Sequence, residues 1–118
     1  MKVENIQKVM MSLEISDTYD QKDWKHDCGT PACIYGHATA LAINTNDLSH
    51  LSNAEIEDIG RQYMGLDALT SLDLTRSFPY GQSIDLDPIQ EPTNRQAIQV
   101  LDHLIHKGKV DWKRFKRE

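Results

Sequence analysis

Apolar residues recur three and four positions apart in four stretches of the chain, at 3–13, 52–64, 70–78 and 93–107. This spacing places them on one face of a helix, which is typical of a helix that packs against a core. The side chains expected to be buried are Val3, Ile6, Val9, Met10, Leu13, Ile56, Ile59, Tyr63, Met64, Leu72, Leu74, Phe78, Ala97, Val100, Leu101, Leu104 and Ile105. The pattern alone therefore predicts four amphipathic helices.

A fifth stretch, from residue 31 to about 43, has almost no polar face. Thr30 is a good N-cap for it, and Pro31 suits the first helical position because no amide hydrogen is needed there. A helix that is apolar on nearly every side belongs inside a core, where Gly36 leaves room for a neighbouring helix. The sequence therefore predicts one small all-α domain over residues 1–118, with four helices around a buried central helix.

Three pairs of residues have the spacing of a capping box, in which two side chains satisfy free amides at a helix start. They are Ser52 with Glu55, Thr70 with Asp73, and Thr93 with Gln96. Gly65 and Gly108 are expected to end the third and fifth helices. Beyond them, three large apolar side chains alternate with charges between residues 110 and 115, which predicts a short extended C-terminal segment.

The formal net charge is −5, but charge is unevenly distributed along the chain. Residues 107–118 contain six Lys or Arg and two acids, so the rest of the chain is strongly acidic. An acidic surface repels phosphate, which argues against a nucleic-acid-binding protein. No apolar stretch approaches the roughly 20 residues that cross a bilayer, and the N-terminal residues lack a signal-peptide core. We therefore expect a cytoplasmic protein with no membrane partner.

Residues 28–36 read Cys-Gly-Thr-Pro-Ala-Cys-Ile-Tyr-Gly and follow an Asp-Trp pair, while residues 108–112 read Gly-Lys-Val-Asp-Trp. These segments resemble a family of small phage and bacterial proteins with the patterns Cys-Gly-Thr-x-Ala-Cys-Ile-x-Gly-Trp and Gly-x-Val-Asp-Trp. The resemblance implies a fold and a phage setting, hence the cytoplasm of a host cell. It implies no chemistry, because the family has no assigned activity. His37 stands where the family carries Trp.

The turn before the central helix is the strongest candidate site. Free amides and a partial positive charge at a helix start accept anions readily. Gly29 lets the backbone come close to a ligand, and Thr30 adds a hydroxyl. The candidate ligand-binding residues are Trp24, Lys25, His26, Cys28, Gly29 and Thr30. The simpler interpretation is that this turn only starts a buried helix.

Two histidines and two cysteines near this turn raise other kinds of chemistry. They are His26, Cys28, Cys33 and His37. Their spacing is none of the common zinc patterns, so no metal is predicted. A helix start would activate the thiol of Cys33, but no third group is placed to orient a histidine beside it. The thiols of a cytosolic protein are expected to be reduced, and no cofactor or catalytic residue is predicted.

These observations favour a non-enzymatic phage accessory protein that binds an anionic small ligand, such as a nucleotide signal of host defence. The alternative is a protein–protein adaptor or inhibitor that contacts a host or phage protein. It would use the Pro-rich loop at 79–92 and the basic tail. Trp24, Tyr80 and Trp112 would line a pocket or contact surface, or else the two tryptophans close the ends of the core.

Overall fold

The computed structural model describes residues 1–21, 23–75 and 93–112, and these contain five helices. In chain order they are α1 (Val3–Glu14), α2 (Ile34–Ile43), α3 (Asn53–Met64), α4 (Ala68–Thr75) and α5 (Asn94–Lys107). The described residues form no strand, only an isolated bridge between Lys25 and Pro31. The all-α prediction is confirmed. Within the same ranges, no helix combines the length and the apolar character needed to cross a membrane.

Helix α2 packs against α3 and α1, and α1 also packs along α5. Helices α2 and α3 lie close together because Gly60 of α3 has no side chain. A Cβ on Gly60 of α3 would lie 2.9 Å from the carbonyl oxygen of Tyr35 and 3.3 Å from Thr39 Oγ1. Thr39 uses that closeness to donate to the carbonyl oxygen of Ile56, at 2.8 Å. The interface between the two helices therefore combines backbone contact with a buried hydrogen bond.

The central helix is buried over residues 34–40 and emerges at its last turn. Leu41 and Ile43 are each 37% exposed. The prediction of a helix buried as far as residue 43 is therefore wrong for this turn. Carbonyl groups at a helix end have no helical partner, so the end of a helix favours the surface. Here Asn44 ends α2 with left-handed backbone, at a φ of 57°.

Helix α2 begins at Ile34, three residues later than the sequence predicts. Pro31 instead pairs with Lys25 across a turn. The prediction that Thr30 caps the central helix is wrong, because Cys33 holds the N-cap position in extended backbone.

The segment between α1 and α2, residues 15–33, is called the connector here, and it lies directly on α2. A Cβ on Gly36 would collide with the carbonyl oxygen of Trp24 in the connector. The space that was expected to receive a neighbouring helix is therefore filled by irregular backbone. The Trp24 ring also rests on Tyr35 of α2, with ring centroids 5.9 Å apart and planes at 54°.

Two of the three predicted capping boxes are present, at the starts of α3 and α5. Ser52 and Thr93 are their N-cap residues, as expected. The third prediction is wrong, because Asp67 rather than Thr70 supplies the side chain at the start of α4. Its Oδ1 accepts from the amide of Thr70 at 2.8 Å. A carboxylate at this position also interacts favourably with the helix dipole.

The described part of the C-terminal segment, residues 108–112, forms no strand, and the rest of the predicted extended segment lies outside the described residues. Trp112 is partly buried against the core. Its Nε1 donates to the carbonyl oxygens of Asp73, at 3.2 Å, and Leu74, at 3.3 Å. These bonds occupy carbonyl groups at the end of α4, which supports the interpretation that Trp112 closes one end of the core.

Most of the predicted core positions are buried or partly buried. Val3 and Leu72 are the exceptions among the described residues, at 38% and 43% exposed. Leu72 faces solvent because α4 turns Ser71 and Leu74 inward. Phe78 lies outside the described residues.

Candidate functional site

The connector forms a groove of about 610 Å³ that is open to solvent. Its lining residues are Asp17, Thr18, Tyr19, Asp20, His26, Asp27, Cys28 and Thr30. One wall is the stretch 17–20, and the other is the turn at 26–30. Three of the six predicted ligand-binding residues, His26, Cys28 and Thr30, therefore share one surface depression.

The turn that carries Gly29 is held by backbone hydrogen bonds. The amide of Gly29 donates to the carbonyl oxygen of His26 at 2.8 Å, and the amide of His26 donates to that of Thr30 at 2.9 Å. Gly29 has a φ of +95°, and a Cβ on it would lie 2.6 Å from Asp47 Oδ1. Its carbonyl oxygen accepts from the amide of Leu48 at 2.8 Å. This glycine was expected to approach a ligand, but it is buried against the residues before α3.

The two residues expected to supply charge and a stacking face do not line the groove. Lys25 Nζ donates to backbone carbonyl oxygens in the segment 48–51, at 3.2 Å for Leu48 and 3.3 Å for Ser49. Its ammonium therefore holds the segment before α3. Trp24 packs against the core. The structure thus supports the interpretation that this tryptophan closes the core.

The first amides of α2 face protein. The amide of Ile34 donates to Gln21 Oε1 at 3.3 Å, and both Cys33 and Ile34 are buried. The prediction that the central helix presents its opening amides to an anion at Thr30 is wrong. The connector covers the helix start, and Thr30 lies in the preceding turn.

The groove is lined by acidic side chains. Asp17 and Asp27 are exposed and Asp20 is partly buried, while His26 is the one basic side chain among the lining residues. Carboxylates along the same groove repel an anion and attract a cation. In the sequence the connector has the composition of a polar spacer, so these aspartates were not predicted to bind a ligand. The signal that could have identified them is the recurrence of Asp every three or four positions from 17 to 27.

The two cysteines have opposite environments. Burial raises the pKa of the Cys33 thiol to about 12, and the amides of Gly36 and Tyr35 offset only part of that effect. Cys28 is exposed, and the hydroxyl of Thr30, 3.3 Å from its sulfur, lowers its pKa. Cys33 therefore behaves as a small core side chain. In the part of the chain that the structure describes, no three His, Cys, Asp or Glu side chains are grouped to hold a metal.

Most residues that the adaptor hypothesis invokes lie outside the described part of the chain. The loop at 79–92, with Tyr80, and the basic residues after 112 lie outside the described residues. On the exposed face of α5, the Nδ1 atom of His106 lies 3.4 Å from Asp102 Oδ1.

Comparisons with protein-family models, curated proteins and solved structures give no match to this chain. The resemblance to small phage proteins therefore stays a prediction. Function has to be inferred from the side chains themselves.

Proposed function

We propose that this chain is a non-enzymatic binding protein and that the groove of the connector is its ligand site. The observation that carries this proposal is the groove itself, about 610 Å³ in volume and open to solvent. Sites for small ligands are concave and of about 300–1,000 Å³. The groove also contains three of the residues that were predicted from sequence to bind a ligand, His26, Cys28 and Thr30.

Binding is favoured over covalent catalysis because neither thiol is paired with a histidine base. Cys33 is buried, and its pKa is raised to about 12. Cys28 is exposed and its pKa is lowered, but its sulfur contacts Thr30 Oγ1, and among the described residues no hydrogen bond joins it to a histidine. A nucleophile–base pair requires a histidine nitrogen within hydrogen-bonding reach of the thiol.

We expect the ligand to present an amine or a guanidinium. Asp17, Asp20 and Asp27 line the groove, and Lys25 directs its ammonium to the segment before α3. This is the opposite charge to the one predicted from sequence. That prediction assumed that helix amides and Lys25 face the site, and neither does. The adaptor hypothesis is compatible with the same groove if the cation is a Lys or Arg side chain of a host or phage protein.

An anionic ligand, such as a nucleotide signal of host defence, is the second candidate. It is favoured by two groups on the same groove, the hydroxyl of Thr30 and the imidazole of His26. Either group can donate to a phosphate oxygen. Three neighbouring carboxylates oppose it, so this candidate requires a protonated His26 or a ligand that avoids the acidic wall.

A thermal-shift screen separates the candidates. The probes are spermidine, agmatine, ATP and a cyclic dinucleotide, each at constant ionic strength. A ligand at about 100 times its dissociation constant stabilises the folded state by about 2.7 kcal/mol, which raises Tm by several degrees. We expect the two amines to raise Tm and the two nucleotides to leave it unchanged. A rise with nucleotides alone would favour the anionic ligand, and no rise with any probe would count against a small-molecule site.

Asp27→Asn tests whether the groove is where the amine binds. Asp27 is exposed, so the change removes one charge and leaves the core intact. We expect about tenfold weaker amine binding, measured by calorimetry. Asp102→Asn is the matched control, since it removes the same charge from the exposed face of α5. Equal weakening in both variants would indicate non-specific attraction to an acidic protein.

A further inference from the structure

Two histidines hold the same short stretch of the connector from opposite sides. The ring of His37 in α2 is buried, with its Nδ1 2.9 Å from the carbonyl oxygen of Cys33 and its Nε2 2.9 Å from Ser16 Oγ. The ring of His26 has its Nε2 2.6 Å from the carbonyl oxygen of Thr18. Residues 16–18 thus lie between one imidazole in the core and one in the groove.

These contacts fix the hydrogen positions. A carbonyl oxygen only accepts, so His37 must carry its hydrogen on Nδ1. In the neutral ring Nε2 is then an acceptor, and the hydroxyl of Ser16 donates to it. By the same reasoning His26 carries a hydrogen on Nε2 and donates to Thr18 whether or not the ring is charged. The two histidines therefore respond differently to a proton.

A second proton on His37 puts a hydrogen on Nε2, facing the hydroxyl hydrogen of Ser16. Ser16 can turn its hydroxyl to Thr18 Oγ1, 3.3 Å away, but the new positive charge stays in a residue that is 3% exposed. The titratable groups that face the ring are Tyr19, with ring centroids 6.2 Å apart, His26 and Cys33. None of these carries negative charge near neutral pH, so none compensates the cation.

Burial is the main reason why the pKa of His37 lies below its ordinary value, and the bond to the Cys33 carbonyl opposes that effect. Contact with water stabilises the charged form of the ring. Its least buried neighbours are residues 16–20, which hydrogen bonds and the packed ring of Tyr19 attach to the rest of the domain. Thr18 Oγ1 donates to the carbonyl oxygen of Pro31, and the amide of Asp20 donates to that of Ala32, both at 2.9 Å.

We propose that protonation of His37 releases residues 17–20, one wall of the groove, from α2, so that mild acidification reshapes the groove. Ser16 is the pivot, because Asn94 of α5 also holds its carbonyl oxygen, at 3.2 Å. The proposal concerns a wall of the proposed ligand site, yet it requires no ligand. Its failure and the failure of the binding proposal are therefore separate results.

Amide hydrogen exchange measured by NMR at pH 7.5 and pH 5.0 tests the release. The reporter is the amide of Asp20, with the amide of Leu104 inside α5 as internal reference. A group that is protonated more readily in the open state favours opening by up to tenfold for each pH unit below roughly 6.5. We expect the protection factor of Asp20 to lie below that of Leu104 at both pH values, because a local opening needs less free energy than global unfolding, and to fall by that order at pH 5.0. An Asp20 amide protected as strongly as Leu104, or one whose protection does not change with pH, would overturn local release.

Two variants identify which histidine is responsible. His37→Gln removes the titrating ring, and we expect it to abolish the pH dependence of Asp20 protection. His26→Gln is the matched control, because its amide can still donate to Thr18, and we expect the dependence to persist. The reverse pattern would overturn the proposal.

A measurement on the unaltered chain covers the case in which His37→Gln does not fold. The ring nitrogens of His37, followed by ¹⁵N NMR, must titrate below roughly 6.5, the ordinary pKa of histidine, and the loss of Asp20 protection must fall between that pH and the His37 midpoint. A loss of protection outside this interval would overturn the proposal without any variant.

Discussion

Helix α5 and the connector both pack against the core, yet different interactions hold them. Helix α5 buries a stripe of apolar side chains and starts with a capping box at Thr93. The connector is attached by polar side chains that reach distant backbone. Gln21 contacts both α2 and the end of α4, and Lys25 holds the segment before α3. Interactions between neighbours in sequence therefore determine where α5 forms. The conformation of the connector depends instead on hydrogen bonds to residues that are distant in the chain.

This difference bears on function. Tyr19 and Trp24 also pack the connector against the core, but it has no continuous apolar stripe like that of α5. A segment of this kind can open locally at lower free energy than a helix with a buried apolar face. The connector also exposes the aspartates that line the groove. Binding residues commonly lie on such segments when a rigid scaffold supports them. Here α2 and α3 provide the scaffold.

Removing an apolar side chain from α5 should give the largest effect on stability. Leu101 is fully buried, and Leu101→Ala should lower the free energy of unfolding by about 2–5 kcal/mol, because it leaves a cavity in the core. Leu69→Ala is the matched control on α4, since Leu69 is 76% exposed. We expect it to change stability by less than about 0.5 kcal/mol in urea denaturation. Similar losses in both variants would contradict the assigned core.

Removing a polar anchor of the connector should give an intermediate effect. Gln21 Oε1 accepts from the Tyr19 hydroxyl at 2.8 Å and from the amide of Ile34 at 3.3 Å. Gln21→Leu leaves these buried donors unpaired, which should lower the free energy of unfolding by about 1–3 kcal/mol. Gln62→Leu removes an amide that contacts a surface carboxylate and should be nearly neutral. An unchanged free energy of unfolding in Gln21→Leu would mean that polar anchors do not hold the connector in place.

The smallest expected effect on stability comes from removing the side chain that caps a helix. Thr93→Ala removes a side chain that caps α5 and should lower the free energy of unfolding by about 1 kcal/mol. Thr30→Ala should cost less than about half of that, because Thr30 lies in the turn before α2. Thermal denaturation of the two variants gives the ranking. A larger loss for Thr30→Ala would mean that the central helix begins at Pro31 after all.

The sequence predicts the helices well because periodicity and capping are local. The stripe on α5, the capping residues Ser52 and Thr93, and the terminal glycines Gly65 and Gly108 all act through neighbours a few positions away. Each of these predictions is confirmed. The failure at Thr70 is also local, since Asp67 lies three residues earlier and its side chain accepts from the amide of Thr70.

The candidate site could be predicted only in part. The sequence draws attention to residues 28–30 and so to one wall of the groove. It could not reveal that Lys25 turns toward residues 48–51, or that residues 17–20 form the other wall. Both depend on contacts between positions distant in the chain. The start of α2 was misplaced for the same reason, because the pairing of Pro31 with Lys25 competes with a longer helix.

The claim on which the functional account rests is that the acidic groove of the connector accepts a cation. An NMR titration of the ¹⁵N-labelled chain with spermidine, at constant ionic strength and neutral pH, tests it most directly. We expect the shift changes to concentrate on the amides of Thr18, Asp27 and Cys28, and to require more spermidine in Asp27→Asn. Shifts at these amides with ATP and none with spermidine would contradict the claim.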